Sequence, residues 1–426
     1  MILFAYFACL TTQSNTDNTE ASANKEIEID AAGTSLESVI KPTRTPQKPA
    51  RTTALIVIDT LRDDSLRKAD TPNIDALANQ GHRVEHAWAA STWTVPSVIG
   101  LLTGRTVREH GWNLPTGRLG KYPPLPELPL ISEYFKENGI ESIGIHANPY
   151  LAEELGFSRG FLVWKKSMDP AFPSTLQSEL SKQQWDEDTK GFVYLHFIGP
   201  HSPLNPSQKK RDKYNLDDKW FETRNAMQIG AAKRNQIEGI RTAYATAYHA
   251  VIEDTDAIVG ECIQILKKHD PDIRIVLTSD HGELLGEHNI VGHGSHLYEE
   301  LSHVPLIVSH GTYPDFTSNT CIADWLSLQY GLSWNTSKSC AGQTLLSQRE
   351  DKVALLFSNK DKWIRDDNGL RQTNLLLDPN EEAYFENKDG PFDSVLDGIP
   401  HKDPPENTAQ LPNVTREQLK ELGYLE

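Results

Sequence analysis

Ala54-Leu55-Ile56-Val57-Ile58-Asp59 decides the fold of this 426-residue chain. An unbroken apolar run rich in β-branched residues belongs to a strand buried on both faces, and such strands make mostly parallel sheets covered by helices. Asp59 ends the run. Ligand groups in such sheets gather at the carboxyl ends of the strands, so Asp59 stands where chemistry is expected. Working outward, Thr71 to Gly81 carries a cap, an early Pro and a Gly stop, the pattern of a helix. A second helix is expected over Leu128–Asn138. Further strands are expected at Ile140–His146 and Gly191–Phe197, the latter running into Gly199-Pro200-His201-Ser202-Pro203. Residues 205–235 are charged and read as an irregular surface excursion, followed by a long helix from about Ile237 to His269. Ile273–Ser279 is another buried strand, ending in Asp280-His281-Gly282, and Val304–Val308 is a strand beyond it. After residue 345 the pattern turns to short alternating strands (Val353–Phe357, Lys362–Asp366, Gln372–Leu377) and a last helix, Thr415–Leu422. The class is α/β, with a small antiparallel C-terminal part.

Ser91 to Arg105 reads as a loop entering a helix. Pro96 suits the first helical position and Gly104 a left-handed stop. Thr94 then lies just ahead of a helix N-terminus, where unpaired N–H groups and the dipole favour an anion. Two readings follow: Thr94 caps the helix, or its hydroxyl is a nucleophile toward an anionic ester. The second gains weight because two strands distant in sequence deliver Asp59 and Asp280-His281 to one edge of the sheet. Two carboxylates and an imidazole suit a divalent metal, whose charge lowers the pKa of a neighbouring hydroxyl. Five of the 15 histidines fall between residues 281 and 303. His201 and His293 are candidate catalytic and substrate-binding residues, whereas His288, His296 and His303 read as structural.

The net charge is −17, from 42 basic and 59 acidic residues, which opposes nucleic acid and anionic membranes as partners. Met1–Leu10 is a short apolar run containing Cys9, and Ser-, Thr-, Asn- and Glu-rich residues follow as far as about Ala50. This start resembles the end of a bacterial lipoprotein signal with Cys9 as the lipid anchor, which implies a periplasmic or cell-envelope location. A cytosolic protein with a polar tail is the alternative. Cys321 and Cys340 are spaced to close a loop in an exported protein, and Cys262 reads as a core thiol.

The blocks Val57-Ile58-Asp59-Thr60-Leu61-Arg62-Asp63-Asp64, Thr71 to Ala78 and Pro96-Ser97 to Gly104-Arg105 resemble the N-terminal signature of the sulfatases. Ser279-Asp280-His281-Gly282-Glu283 to His288, Gly292-His293-Gly294 to Glu300 and the terminal Leu422-Gly423-Tyr424-Leu425 are similar to later blocks of that family. The resemblance covers roughly residues 51–426. It implies an alkaline-phosphatase-like sandwich: a large mixed, mostly parallel sheet between helices, with a small C-terminal antiparallel subdomain. The implied organisation is a leader and linker over 1–50, a catalytic domain over 51–345 and a subdomain over 346–426.

Carried across residue by residue, Asp59, Thr94, Asp280 and His281 match the ligands of one divalent ion (Ca, Mn, Mg or Zn). Thr94 matches the nucleophile, His201 a substrate-binding histidine, and His293 lies near a residue set against the ester. Three positions depart from the family pattern. Ordinary sulfatases place at position 94 a Cys or Ser that becomes formylglycine. Val98 stands where they carry an arginine, and Thr60 where calcium-dependent members have a second Asp. A Thr nucleophile with an Asp/Thr/Asp/His metal set instead resembles phosphodiesterases and phosphoryl transferases of the superfamily. The expectation is a metal-dependent hydrolase of phosphate, phosphonate or sulfate esters of small molecules, glycans or lipid head groups. The competing expectation is an inactive relative that binds anionic glycans or lipid head groups.

Overall fold

The computed structural model describes residues 49–113, 121–217, 240–337, 344–387, 389–403 and 409–421. Cys9, Cys340 and Leu422 to Leu425 lie outside the described residues, as does most of the 205–235 excursion. In chain order the elements that build the site are β1 (Thr52–Ile58), α1 (Pro72–Gln80), β2 (His82–Arg83), α2 (Thr94–Thr103), β3 (Ile140–His146) and β4 (Val163–Lys166). Then come α3 (Phe172–Gln183), β5 (Lys190–Phe197), α4 (Ile240–His269), β6 (Arg274–Thr278), β7 (Leu306–Val308) and α5 (Ile322–Gln329).

Seven strands form one sheet in the order β2-β7-β6-β1-β5-β3-β4. β1 pairs in parallel with both β5 and β6, and β3 in parallel with both β5 and β4. Only β7 turns against its neighbours, pairing antiparallel with β6 and with β2. The sheet is therefore mixed and mostly parallel, with β1 at its centre.

Every residue of β1 is buried. Leu55 and Val57 join one core, with Val95, Val98 and Ile99 of α2 and Ile322 and Leu326 of α5. Ala54, Ile56 and Ile58 join the other, with Ile74 and Leu77 of α1, Leu176 of α3 and Tyr248 of α4. Successive side chains of a strand point to opposite faces, so a continuous apolar run feeds two helical layers at once. Each fully buried Leu, Ile or Val contributes about 1.5–3 kcal/mol, which fixes the height of the strand and the position of Asp59 at its end.

The strand over residues 304–308 is broken: His303–Val304 pairs with His86–Trp88, while β7 begins at Leu306. Pro305 between them lacks the N–H that a continuous ladder needs. The helix expected over Leu128–Asn138 is shorter, Ile131–Glu137: Pro129 disfavours helical conformation at Leu128, and Leu130 is extended at the N-cap. Gln208–Tyr214 is helical within the stretch expected to be irregular.

The C-terminal part is a five-stranded antiparallel meander of β8 (Thr344–Arg349), β9 (Lys352–Phe357), β10 (Asp361–Asp366), β11 (Gly369–Asn374) and β12 (Phe385–Glu386). Cys321 is disulfide-bonded and Cys262 is a buried free thiol. Among the described residues, no helix is long and apolar enough to cross a membrane.

Candidate active site

β1 and β6 are hydrogen-bonded neighbours, Val57 opposite Thr278, so the residues after them emerge side by side. Asp59, Asp280 and His281 come together there with no solvent exposure. The backbone holds Asp280: its Oδ1 accepts from the N–H groups of His281 at 2.9 Å and Thr60 at 3.3 Å. His281 donates from Nδ1 to the Gly282 carbonyl (2.9 Å), which leaves the lone pair of Nε2 facing the carboxylates. That nitrogen lies 3.7 Å from Asp59 Oδ1 and 3.7 Å from Asp280 Oδ2.

Thr94 is the first residue of α2 rather than the residue ahead of it, and Pro96 is the third. Trp93, with extended backbone, takes the N-cap position, so the capping reading of Thr94 does not hold. The buried Thr94 hydroxyl lies 3.3 Å from His281 Nε2 and 3.4 Å from Asn148 Nδ2. Gly104 ends the helix at φ 68°, the left-handed stop its sequence position calls for. Two further contacts brace α2: the Ser97 hydroxyl donates to the Asp280 carbonyl, and His110 Nε2 donates to the Pro96 carbonyl at 3.1 Å.

His201 and His293 also reach the site. The His293 ring sits 4.5 Å from that of His281 and 5.0 Å from that of His201, centroid to centroid. His293 Nδ1 pairs with Glu283 Oε2 at 2.8 Å, and His201 Nδ1 with the Ser202 carbonyl. Asp169 holds the turn before His201, accepting from the N–H groups of Ile198 and Gly199 at 2.9 and 2.8 Å. His288 and His303 are engaged elsewhere, stacked on Tyr298 and bonded to the Glu85 carbonyl respectively, and His296 also stacks on Tyr298.

Three residues at the site went unassigned in the sequence. His196 lies within β5, opposite Val57, with Nε2 3.4 Å from Asp59 Oδ2 and 3.9 Å from Asp280 Oδ2. Asn148, just beyond β3, donates to Asp59 Oδ2 at 2.6 Å. Glu283 is fully buried behind His293. The available signal was their place: polar residues at or just past the carboxyl end of an apolar strand.

The electrostatics of the cluster favour a cation. Burial pushes the Asp280 carboxyl well above its usual range, and the neighbouring Asp59 adds to the rise. Burial acts on Asp59 in the same direction, but the neighbouring His196, His201 and His281 overcome it and hold that carboxyl low. Burial lowers His281 to about 3 and raises Glu283 to about 7. Asp59 Oδ1 and Asp280 Oδ2 are buried with no hydrogen-bond partner. Donor atoms of Asp59, His196 and Asp280 all lie within 4.8 Å of one another, the one such group among the described residues. Two adjacent buried carboxylates cannot both ionise cheaply in a protein interior. A divalent cation lets both do so and satisfies both orphan oxygens, so the residues present fit a metal ion.

The fold and this buried acidic centre define a class, the ester hydrolases of the alkaline-phosphatase superfamily. The sulfatase family profile matches residues 51–312, and the chain belongs to the sulfatase family. Enzymes of that family use a divalent metal. An arylsulfatase of Clostridium perfringens is 22% identical over 332 residues, covering 60% of this chain and 67% of that protein. The phosphonate monoester hydrolase of Agrobacterium radiobacter superposes with a TM-score of 0.63 at 16% identity, covering 82% of this chain and 94% of the other. A structure solved with its substrate D-glucosamine-2-N,6-O-disulfate gives 0.62 at 14% identity, covering 88% and 98%.

Proposed function

We propose that this chain hydrolyses phosphodiesters or phosphate and phosphonate monoesters through a covalent Thr94 adduct. The observation that carries the reading is the Thr94 hydroxyl, buried at the first turn of α2 and 3.3 Å from His281 Nε2. A threonine keeps its hydroxyl, whereas sulfate-ester hydrolysis in the family uses formylglycine. In this reading Asp59, Thr94, Asp280 and His281 hold the metal. A divalent ion bound there supplies positive charge that lowers the hydroxyl pKa and neutralises the ester oxygens. Thr94 Oγ1, having given up its proton to solvent, attacks phosphorus in line, and the bond to the leaving oxygen breaks. His201 or His293 protonates that oxygen, and water then cleaves the adduct. The α2 N-terminus and the Asn148 amide N–H stabilise charge on the transferred group.

The substrate class follows from small anionic esters. A sulfated sugar is the substrate bound in one similar structure and another is a phosphonate monoester hydrolase, which supports an anionic ester of a small molecule or glycan as the substrate. The Cys321 disulfide supports export to an oxidising compartment, in keeping with a cell-envelope location.

The test is a panel of nitrophenyl phosphate, bis-nitrophenyl phosphate, nitrophenyl phenylphosphonate and nitrophenyl sulfate, with wild type, Thr94→Ser and Thr94→Ala. Phosphorus esters are turned over faster than the sulfate, Thr94→Ser keeps measurable activity and Thr94→Ala loses it. Full turnover by Thr94→Ala overturns the covalent mechanism. No turnover of any ester by wild type, together with binding of the same anions, supports the inactive relative instead.

A further inference from the structure

We propose that His196 is a ligand of the metal alongside Asp59, Asp280 and His281, and that this donor set selects a zinc-class dication over calcium. The inference rests on reading these residues as the metal centre of the hydrolase proposed above, and it narrows the identity of the ion.

Nitrogen supply is the first observation. His281 Nε2 presents its lone pair to the carboxylates because Nδ1 is occupied by the Gly282 carbonyl. His196 is placed the same way. Its Nδ1 faces the Tyr194 hydroxyl at 2.8 Å, while Nε2 points between Asp59 and Asp280. With the tyrosine oxygen accepting from Nδ1–H, Nε2 becomes a donor to a cation. This is the outer partner that ligating histidines characteristically have. Tyr194 is itself locked, fully buried and stacked on Trp164 with ring centroids 5.6 Å apart.

Oxygen supply is the second. Calcium takes six to eight oxygen ligands, usually several carboxylates and carbonyls. This site has two carboxylates. Thr60 stands beside Asp59 and brings only a neutral hydroxyl. Asn148 turns its amide nitrogen, not its oxygen, toward Asp59 and Thr94, because its Oδ1 accepts from the Tyr150 N–H at 2.8 Å. Two imidazoles with two carboxylates fall short of a calcium site and match the borderline preferences of zinc.

The experiment reads metal binding rather than turnover. The full chain is stripped with a chelator and titrated with Zn²⁺, Ca²⁺ and Mg²⁺ by thermal shift. It is then titrated with Co²⁺, whose visible absorption reports nitrogen ligation. Zinc stabilises the stripped protein at concentrations at least tenfold below those at which calcium acts. His196→Ala weakens zinc and cobalt binding at least tenfold and alters the cobalt spectrum. Tyr194→Phe, which keeps every ligand side chain, weakens binding by roughly 10- to 100-fold. Circular dichroism of each stripped variant confirms folding, and His196→Gln replaces any that fails.

Stabilisation by calcium at or below the zinc concentration overturns the proposal. So does a cobalt spectrum and zinc affinity unchanged by both the His196 and the Tyr194 substitutions. Activity retained by Thr94→Ala would sink the covalent mechanism without moving any of these readouts, so the two failures are distinguishable.

Discussion

Lys362 of β10 offers a sharp test of how the C-terminal sheet supports the catalytic part. Its side chain has no solvent exposure, and its ammonium lies 2.8 Å from Glu381 Oε1 and 3.1 Å from Glu299 Oε1, above the Trp88 ring. Burial opposes the charge on Lys362, and the two carboxylates more than offset it. Glu299 begins a short helix, Glu299–Ser302, whose Leu301 carbonyl accepts from the Gly282 N–H at 2.8 Å, one residue past His281. The ion cluster therefore braces the segment behind the loop that carries Asp280 and His281.

Lys362→Met keeps most of the volume and removes the charge, leaving two buried carboxylates beside each other. Breaking a buried pair in this way costs about 3–5 kcal/mol. Without the ammonium both carboxyls have folded-state pKa values above their unfolded values. The native variant then binds more protons than its unfolded chain, and its deficit shrinks as pH falls from 7 toward 5. Urea unfolding followed by tryptophan fluorescence at pH 7 and pH 5 reads both effects. Adding Glu299→Gln and Glu381→Gln to Lys362→Met recovers more than half of the loss. A deficit below about 1 kcal/mol at pH 7, or one independent of pH, refutes the reasoning.

Three further outcomes are expected. Glu283→Ala frees the His293 ring and lowers kcat by about 100-fold. The loss is greater for a phenyl ester than for a dinitrophenyl ester and disappears in a His293→Ala background; Glu283→Gln, which still accepts from Nδ1–H, falls between. Equal losses for both leaving groups would refute the assignment. Gly282→Ala places a Cβ 1.9 Å from the Glu300 carbonyl oxygen, so the loop carrying Asp280 and His281 must shift. The expected result is weaker stabilisation by added dication in a thermal-shift titration. Burial raises the Asp169 carboxyl to about 6. A raised folded pKa contributes stability below about pH 4 that is lost as pH rises through 6, by ~3 kcal/mol in all. Asp169→Asn flattens this slope relative to wild type, as urea midpoints across pH 4–7 will show.

The parts of the site legible in the sequence are those that local pattern defines. Asp59 and Asp280 end apolar runs, and an apolar run buried on both faces announces its own carboxyl end. Thr94 was legible as a residue near a helix start, although only the fold separates a cap from a hydroxyl aimed inward. Pattern cannot supply lateral order. His196 sits inside a strand and looks like any polar residue of a half-buried ladder. It becomes a ligand candidate only because β5 lies beside β1, with Val57 opposite His196. Asn148 depends on the same order one strand further out: β3 pairs with β5 so that His146 lies opposite His196, and the chain then turns to carry the amide back to Asp59. Strand order is set by which apolar faces the helices cover, a property of the whole core rather than of any window of residues. A register slip of one residue between β1 and β5 would turn the His196 imidazole to the opposite face of the sheet. The hydrophobic pairing that holds this register therefore positions the candidate metal site as directly as its side chains do.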